Sequence, residues 1–238
     1  MKNNHSQTGI SLIEIMIALL IGAFLIGGVL QIFIGSKQTY RMQENLSRLQ
    51  ENGRFAMDFL AKDIRMAGYR ACLTFTSPSP DPVPWPINGT NDAGLNASDT
   101  IIIQMSTSNC SFPLTSTTVL TITYSIKAGA SGQPALFKND GITTRELVEG
   151  IENMQILYGV DIDSDGTLGY GTPNYYVPAS SVTNKVVSIR LSLLAATLDD
   201  NLTIQPQPYT FKGTTTTPTD RKIRRVFTST IALRNRLP

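Results

Sequence analysis

At 238 residues, with 41% hydrophobic and 16% charged side chains, the chain has material for one sizeable folded domain plus an appendage. A net charge of +2 argues against a dedicated nucleic-acid binder, which must neutralise many phosphates, and no nucleic-acid partner is expected. The charge is uneven: residues 221–238 hold Arg221, Lys222, Arg224, Arg225, Arg234 and Arg236 and no acid, which reads first as a solvated strand edge guarded by charge and second as a binding patch.

The chain opens on the polar stretch MKNNHSQTG and then runs from Ile10 to Ile34 through 25 residues whose only charge is Glu14. As a helix this run would span roughly 37 Å, enough to cross a bilayer core. Three explanations compete for it. A cleaved secretory signal has an apolar core of about 7–15 residues, and this one is too long. A plain membrane anchor accounts for the length but not for Glu14, since a carboxylate well inside a spanning helix costs on the order of 3 kcal/mol. The third explanation is a more specialised segment in which the charge has work to do.

The stretch Gly9-Ile10-Ser11-Leu12-Ile13-Glu14 resembles the class III prepilin signal of type IV pilins and type II secretion pseudopilins. The resemblance implies that a prepilin peptidase cuts on the cytoplasmic side after Gly9 and methylates the new terminal amine of Ile10, a position where the family usually has phenylalanine. It also implies that Glu14 neutralises a terminal amine during filament assembly. The physical logic agrees with it: glycine lets a protease approach the backbone closely, and a carboxylate paired with an amine escapes the penalty of unpaired burial. Lys2 precedes the span while Lys37, Arg41 and Arg48 follow it, so a count of positive charges alone points to the opposite orientation; the more specific motif takes precedence.

The helical pattern continues past the span. Apolar or small residues recur at Leu46, Leu49, Gly53, Ala56, Met57, Leu60, Ile64 and Ala67, spacings of three and four that trace one helix face, with Gly68 as a stop. The spacing predicts one helix over about residues 10–67, membrane-spanning over 10–34 and amphipathic over 35–67, behind a cleaved leader of residues 1–9 and ahead of a head over 68–238.

Cys72 and Cys110 are the two cysteines. A segment exported past a membrane span meets an oxidising compartment, which favours their pairing over two buried thiols, and closing that loop would stabilise the fold by roughly 4 kcal/mol. Between them SPSPDPVPWPINGTNDAG reads as a long extended loop, in which Trp85 either tucks the loop onto the domain or anchors a partner. Strand-like segments follow at Thr100–Met105, Val119–Ile126, Asn153–Val160, Lys185–Leu193 and Val226–Leu233, three of them alternating clearly enough to read as half-buried. One helix followed by a run of strands predicts an α+β fold, a long N-terminal helix against a largely antiparallel β-sheet head.

Asp161-Ile162-Asp163-Ser164-Asp165-Gly166 repeats the opening of a calcium loop, with Asp161, Asp163 and Asp165 as candidate ligands and calcium as the one cofactor suggested. The twelfth position is Thr172 where a bidentate glutamate is needed, and a polar turn closing a strand explains the pattern equally well.

The stretches VEGIENMQILYGVDIDSDGTLGY, VVSIRLSLL and RKIRRVFTSTIALRNRL resemble the PilW group of minor pilins, from about Val148 to the end. This resemblance implies an inner-membrane protein with a periplasmic head, later part of a pilus and placed at its tip. There it would join other minor pilins to prime or cap assembly of the major pilin, in adhesion or twitching motility. J-type pseudopilins share the architecture and are the nearest rival; a membrane-tethered periplasmic binding module is a third reading. An enzyme is not expected. The sole histidine, His5, lies in the leader, Gly166, Gly169 and Gly171 occupy a polar loop rather than a phosphate-cradling turn, and Asp199-Asp200 has no companion group.

Overall fold

The computed structural model describes residue 9 and residues 11–69, 87–106, 119–163 and 169–236. A single helix, α1 (Leu12–Arg65), begins where the amides of Glu14 and Ile15 both reach the Ser11 carbonyl, at 3.0 and 3.3 Å. It ends in a tightened turn, with Met66 and Ala67 bonding three residues back, and the Gly68 amide then donates to Gln104 O at 2.9 Å. The chain divides into two compact units, Met1–Glu44 and Asn45–Pro238.

In the first unit the helix is uncovered, and from Leu12 to Gly35 it is apolar on every side apart from Glu14 and Gln31. Leu12, Phe24 and Phe33 are 76%, 81% and 65% exposed, and the most apolar stretch has a mean hydropathy of 2.6 with none of it buried. By length and composition this helix can cross a membrane.

In the second unit the same helix becomes one-sided. Asn45, Leu49, Gly53, Ala56, Leu60, Ala61 and Ile64 are buried, the face predicted from the three- and four-residue spacing. Two antiparallel sheets supply the cover. The first is a meander in the order β1-β2-β3-β4-β5: β1 (Ile87–Thr90), β2 (Thr100–Ser106), β3 (Val119–Ala128), β4 (Pro134–Asn139) and β5 (Thr144–Glu149). The second has the order β11-β8-β6-β7, from β6 (Ile151–Asp161), β7 (Tyr175–Val177), β8 (Lys185–Ala196) and β11 (Arg224–Ala232). A hairpin of β9 (Tyr209–Phe211) and β10 (Thr214–Thr216) stands apart from both.

One continuous core joins these parts: Leu60 and Ile64 of the helix, Ile103, Ile122 and Tyr124 of the first sheet, and Ile156, Leu191 and Ile231 of the second. Each such side chain contributes about 1.5–3 kcal/mol by leaving water. Polar contacts set the seating. Asp63 on the helix accepts hydrogen bonds from Tyr124 Oη at 2.6 Å and Lys138 Nζ at 2.5 Å, and Asn52 donates to Glu149 O at 3.1 Å. Burial pushes the Tyr124 hydroxyl up from its ordinary pKa, and the neighbouring Asp63 carboxylate adds to the shift. Gly53 permits a close helix-to-sheet approach, since a Cβ there would lie 2.3 Å from the Phe227 ring. The chain passes between sheets at Gly150, whose φ of +79° suits glycine and whose amide and carbonyl bond Pro134 O and Ala196 N, each at 2.8 Å.

The α+β expectation matches the fold; four of the five strand-like segments lie within strands, and the fifth, Val226–Leu233, overruns β11 by Leu233. Two details differ. The Lys185–Leu193 segment is buried beyond one face: β8 is a central strand, and on its alternate face Val186 and Ser188 are buried as well, while Ser192 is half-buried and Arg190 exposed. The basic C-terminal segment does form an edge strand, β11, yet Arg224 is not a solvated guard. Its side chain is 8% exposed and locked between two acids.

Candidate functional site

Three regions hold the residues singled out in the sequence. At the amino terminus, Gly9 is exposed, Ile10 lies outside the described residues, and Glu14 sits exposed in the first turn of α1. Its position there is electrostatically favourable, because the free amides of a helix start favour a negative charge. From Leu12 to Ser36 it is the only charge on the helix. Small residues follow it at helical spacing, Ala18 and Gly22, and a shallow groove runs beside the carboxylate to Ile26. A carboxylate at the head of an otherwise apolar rod, with small residues behind it, suits close approach of a second helix that brings a positive charge.

The second region is the acidic turn after β6. Asp161 is buried, and its carboxylate is occupied within the turn: one oxygen accepts the Asp163 amide at 2.9 Å, the other the Gly171 amide at 2.7 Å. Asp163 Oδ2 in turn accepts the Asn174 side-chain amide at 3.1 Å, while Asn174 Oδ1 accepts the Ile162 amide at 2.9 Å. This is the hydrogen bonding of a polar turn closing a strand. Asp165 lies outside the described residues, and among the described residues no cluster of three or more metal-type side chains occurs.

The third region holds Cys72 and Cys110, both outside the described residues, as is Trp85. Their described flanks are neighbours: the Ser106 amide donates to Tyr69 O at 2.8 Å. Chain segments of three and four residues therefore lead from one hydrogen-bonded pair to the two cysteines.

One cluster was not anticipated. Arg224 donates Nε and Nη2 to Glu152 at 2.7 and 2.9 Å, and Nη1 and Nη2 to Asp220, both at 2.7 Å. Hydrogen bonding from Arg224 holds the Asp220 carboxyl below its ordinary range, and Asp220 and Glu152 hold the guanidinium charged. Glu152 reaches it because the β6–β8 register slips between Ile151 and Asn153, a bulge that re-aims the side chain. An isolated basic run offers no sign of a partner 72 residues away.

Comparison with known proteins places these regions. Residues 4–30 match the prokaryotic N-terminal methylation motif, and residues 123–235 match the family described as type IV pilus-assembly protein W. No curated protein sequence matches the chain. Among solved structures, a type IV-like pilin from Thermus thermophilus is similar over 79% of this chain and 98% of its own, at 16% identity and a TM-score of 0.43. The methylation motif covers Gly9 through Glu14 and the apolar helix as far as Leu30, and the second match covers the whole second sheet and, of the first, the later part of β3 with β4 and β5. Over these two stretches the chain resembles type IV pilin-like proteins of the PilW type.

Proposed function

We propose that this protein is a minor pilin that assembles with other minor pilins to prime or cap a type IV pilus. A prepilin peptidase cuts after Gly9 and methylates Ile10; the helix then holds the protein in the inner membrane with its head in the periplasm until it enters the filament. The observation that carries the reading is the joint presence of the methylation motif and an apolar rod, uncovered on all sides, whose single charge is Glu14. An unpaired carboxylate in lipid or in a helix bundle is costly, so the free amine of Ile10 on a neighbouring subunit is its natural partner. The PilW match favours a pilus over a secretion filament. The role is structural rather than enzymatic: the helix bundles, and the head presents lateral contacts.

Cys72 and Cys110 pair in this reading. Support comes from the Ser106–Tyr69 hydrogen bond, since three or four residues reach at most roughly 10–14 Å, enough to bring both thiols together from adjacent starting points. Labelling with a maleimide only after reduction is the expected result.

The functional test is genetic and visual. Replacing Gly9 by Val blocks maturation and surface piliation, and Glu14→Leu permits maturation but loses incorporation into filaments. Unchanged mature size and piliation in both variants contradict the proposal; loss of protein secretion with normal piliation transfers the role to a secretion filament.

A further inference from the structure

The second sheet carries a polar cleft on the face turned away from the helix, and the filament role leaves it unused. One wall is the β9–β10 hairpin. Tyr209 and Phe211 point to one face by strand alternation, and the register sets them opposite Thr216 and Thr214, so two rings and two hydroxyls share that wall. The facing wall is the sheet itself, with Leu194 as its apolar patch and Glu152 and Arg224 as its polar floor. The space between has a volume of about 730 Å³, within the range typical of small-molecule sites.

The charges in the cleft select against ions. Arg224 is engaged by two carboxylates, Glu152 and Asp220, and Lys212 at the hairpin tip is paired with Asp92. Among the described residues lining the cleft no uncommitted cation remains to receive an anion, and the carboxylates face an arginine rather than open solvent. What remains available is hydroxyl chemistry. Each Glu152 oxygen accepts one arginine N–H and keeps a further lone pair, and the hydroxyls of Thr214 and Thr216 make no hydrogen bond among the described residues. The ring wall is pre-set, because the Arg224 guanidinium lies 5.2 Å from the Tyr209 ring centroid. Apolar ring faces beside free hydroxyl partners, at near-neutral charge, are complementary to a molecule that has C–H faces and many hydroxyls.

The geometry points to this cleft as a binding site for a neutral oligosaccharide, with Tyr209 and Phe211 as the stacking wall and Glu152, Thr214 and Thr216 as hydroxyl partners. The inference goes beyond the filament role and does not rest on it, since the cleft is built wholly within the head.

The test uses the processed full-length chain, purified in a detergent without a sugar headgroup. It is titrated with neutral trisaccharides of glucose, galactose, mannose and N-acetylglucosamine, each free and coupled through its reducing end to a carrier protein, with a sulfated trisaccharide as the anionic control. Saturable binding of at least one neutral sugar with Kd of about 1 mM or tighter is expected, with the sulfated control weaker. Binding of the coupled form identifies a surface-displayed glycan; binding of the free form alone identifies a free sugar. Phe211→Ala is expected to weaken binding about tenfold or more, a change of about 1.4 kcal/mol. Thr216→Trp, at an exposed position, fills the cleft without touching the core and abolishes binding; it decides the matter if Phe211→Ala fails to fold. No saturation by any neutral sugar up to about 10 mM, equal binding of the sulfated control, or binding unaffected by Thr216→Trp overturns the proposal.

Discussion

One helix serves two regions by two different rules. From Leu12 to Glu44 its large apolar side chains lie open, whereas from Asn45 to Arg65 Leu49, Ala56, Leu60 and Ile64 are sealed against the two sheets. The backbone is the same in both. The distribution of side chains differs: from Leu12 to Gly35 the helix is apolar all round apart from Glu14 and Gln31, and the later part keeps its apolar residues to one stripe. A one-sided stripe is satisfied inside its own chain. An all-round apolar surface needs an apolar surround from outside, either a bilayer or other helices, and this separates the part that stabilises the head from the part that acts on partners.

The sharpest way to break this contrast is to make the same truncation in both parts. Leu60→Ala, in the sealed stripe, is expected to lower the head's unfolding free energy by about 3 kcal/mol in chemical denaturation. Leu19→Ala, in the open part, should change it by less than about 0.5 kcal/mol. Comparable losses in the two would show that the open part also belongs to the folded head.

Smaller effects probe how the head is held on its helix and closed at its far side. Arg224→Met strands Glu152 and Asp220 without a partner and is expected to destabilise the head by about 2 kcal/mol, discounted for the partial exposure of both carboxylates. Gly53→Leu drives a side chain into the Phe227 ring and should destabilise by about 1–2 kcal/mol, with Phe227→Ala in the same chain recovering part of the loss in a double-mutant cycle. Asp220→Asn is the mildest, about 1 kcal/mol at neutral pH. Its sign with pH is defined: Arg224 depresses the folded carboxyl, so this stabilisation is present above the ordinary carboxylate range and is lost as pH falls through the depressed value. The gap between Asp220→Asn and the unaltered chain, followed by thermal unfolding, should therefore close only in acid.

What could be read from the sequence follows the length and regularity of each signal. The apolar run was legible by its unbroken length and Glu14 as its lone charge, and the stripe from Leu49 to Ile64 because helical periodicity repeats over several turns. The five long strands were legible because alternation or apolar content persists in them. β4 and β5 were not, since PALFKN begins with proline and TRELVE reads as a charged stretch. β1, β7, β9 and β10 span three or four residues, too short for any periodicity to register. β8 misled in the other direction: Val187, Ile189, Leu191 and Leu193 suggested one buried face, while Ser188 and Ala196 are small enough to be buried on the other. The cleft was invisible because its parts come together only through tertiary structure. A bulge at Glu152 and a hairpin with no apolar pattern meet an arginine that, in sequence, belongs to a basic run.

The proposed filament role depends on cleavage after Gly9, and mass spectrometry of the protein's amino terminus, taken from cells with an active prepilin peptidase, tests that most directly. It predicts a chain beginning at Ile10 and carrying one added methyl group; an intact terminus at Met1 would contradict it.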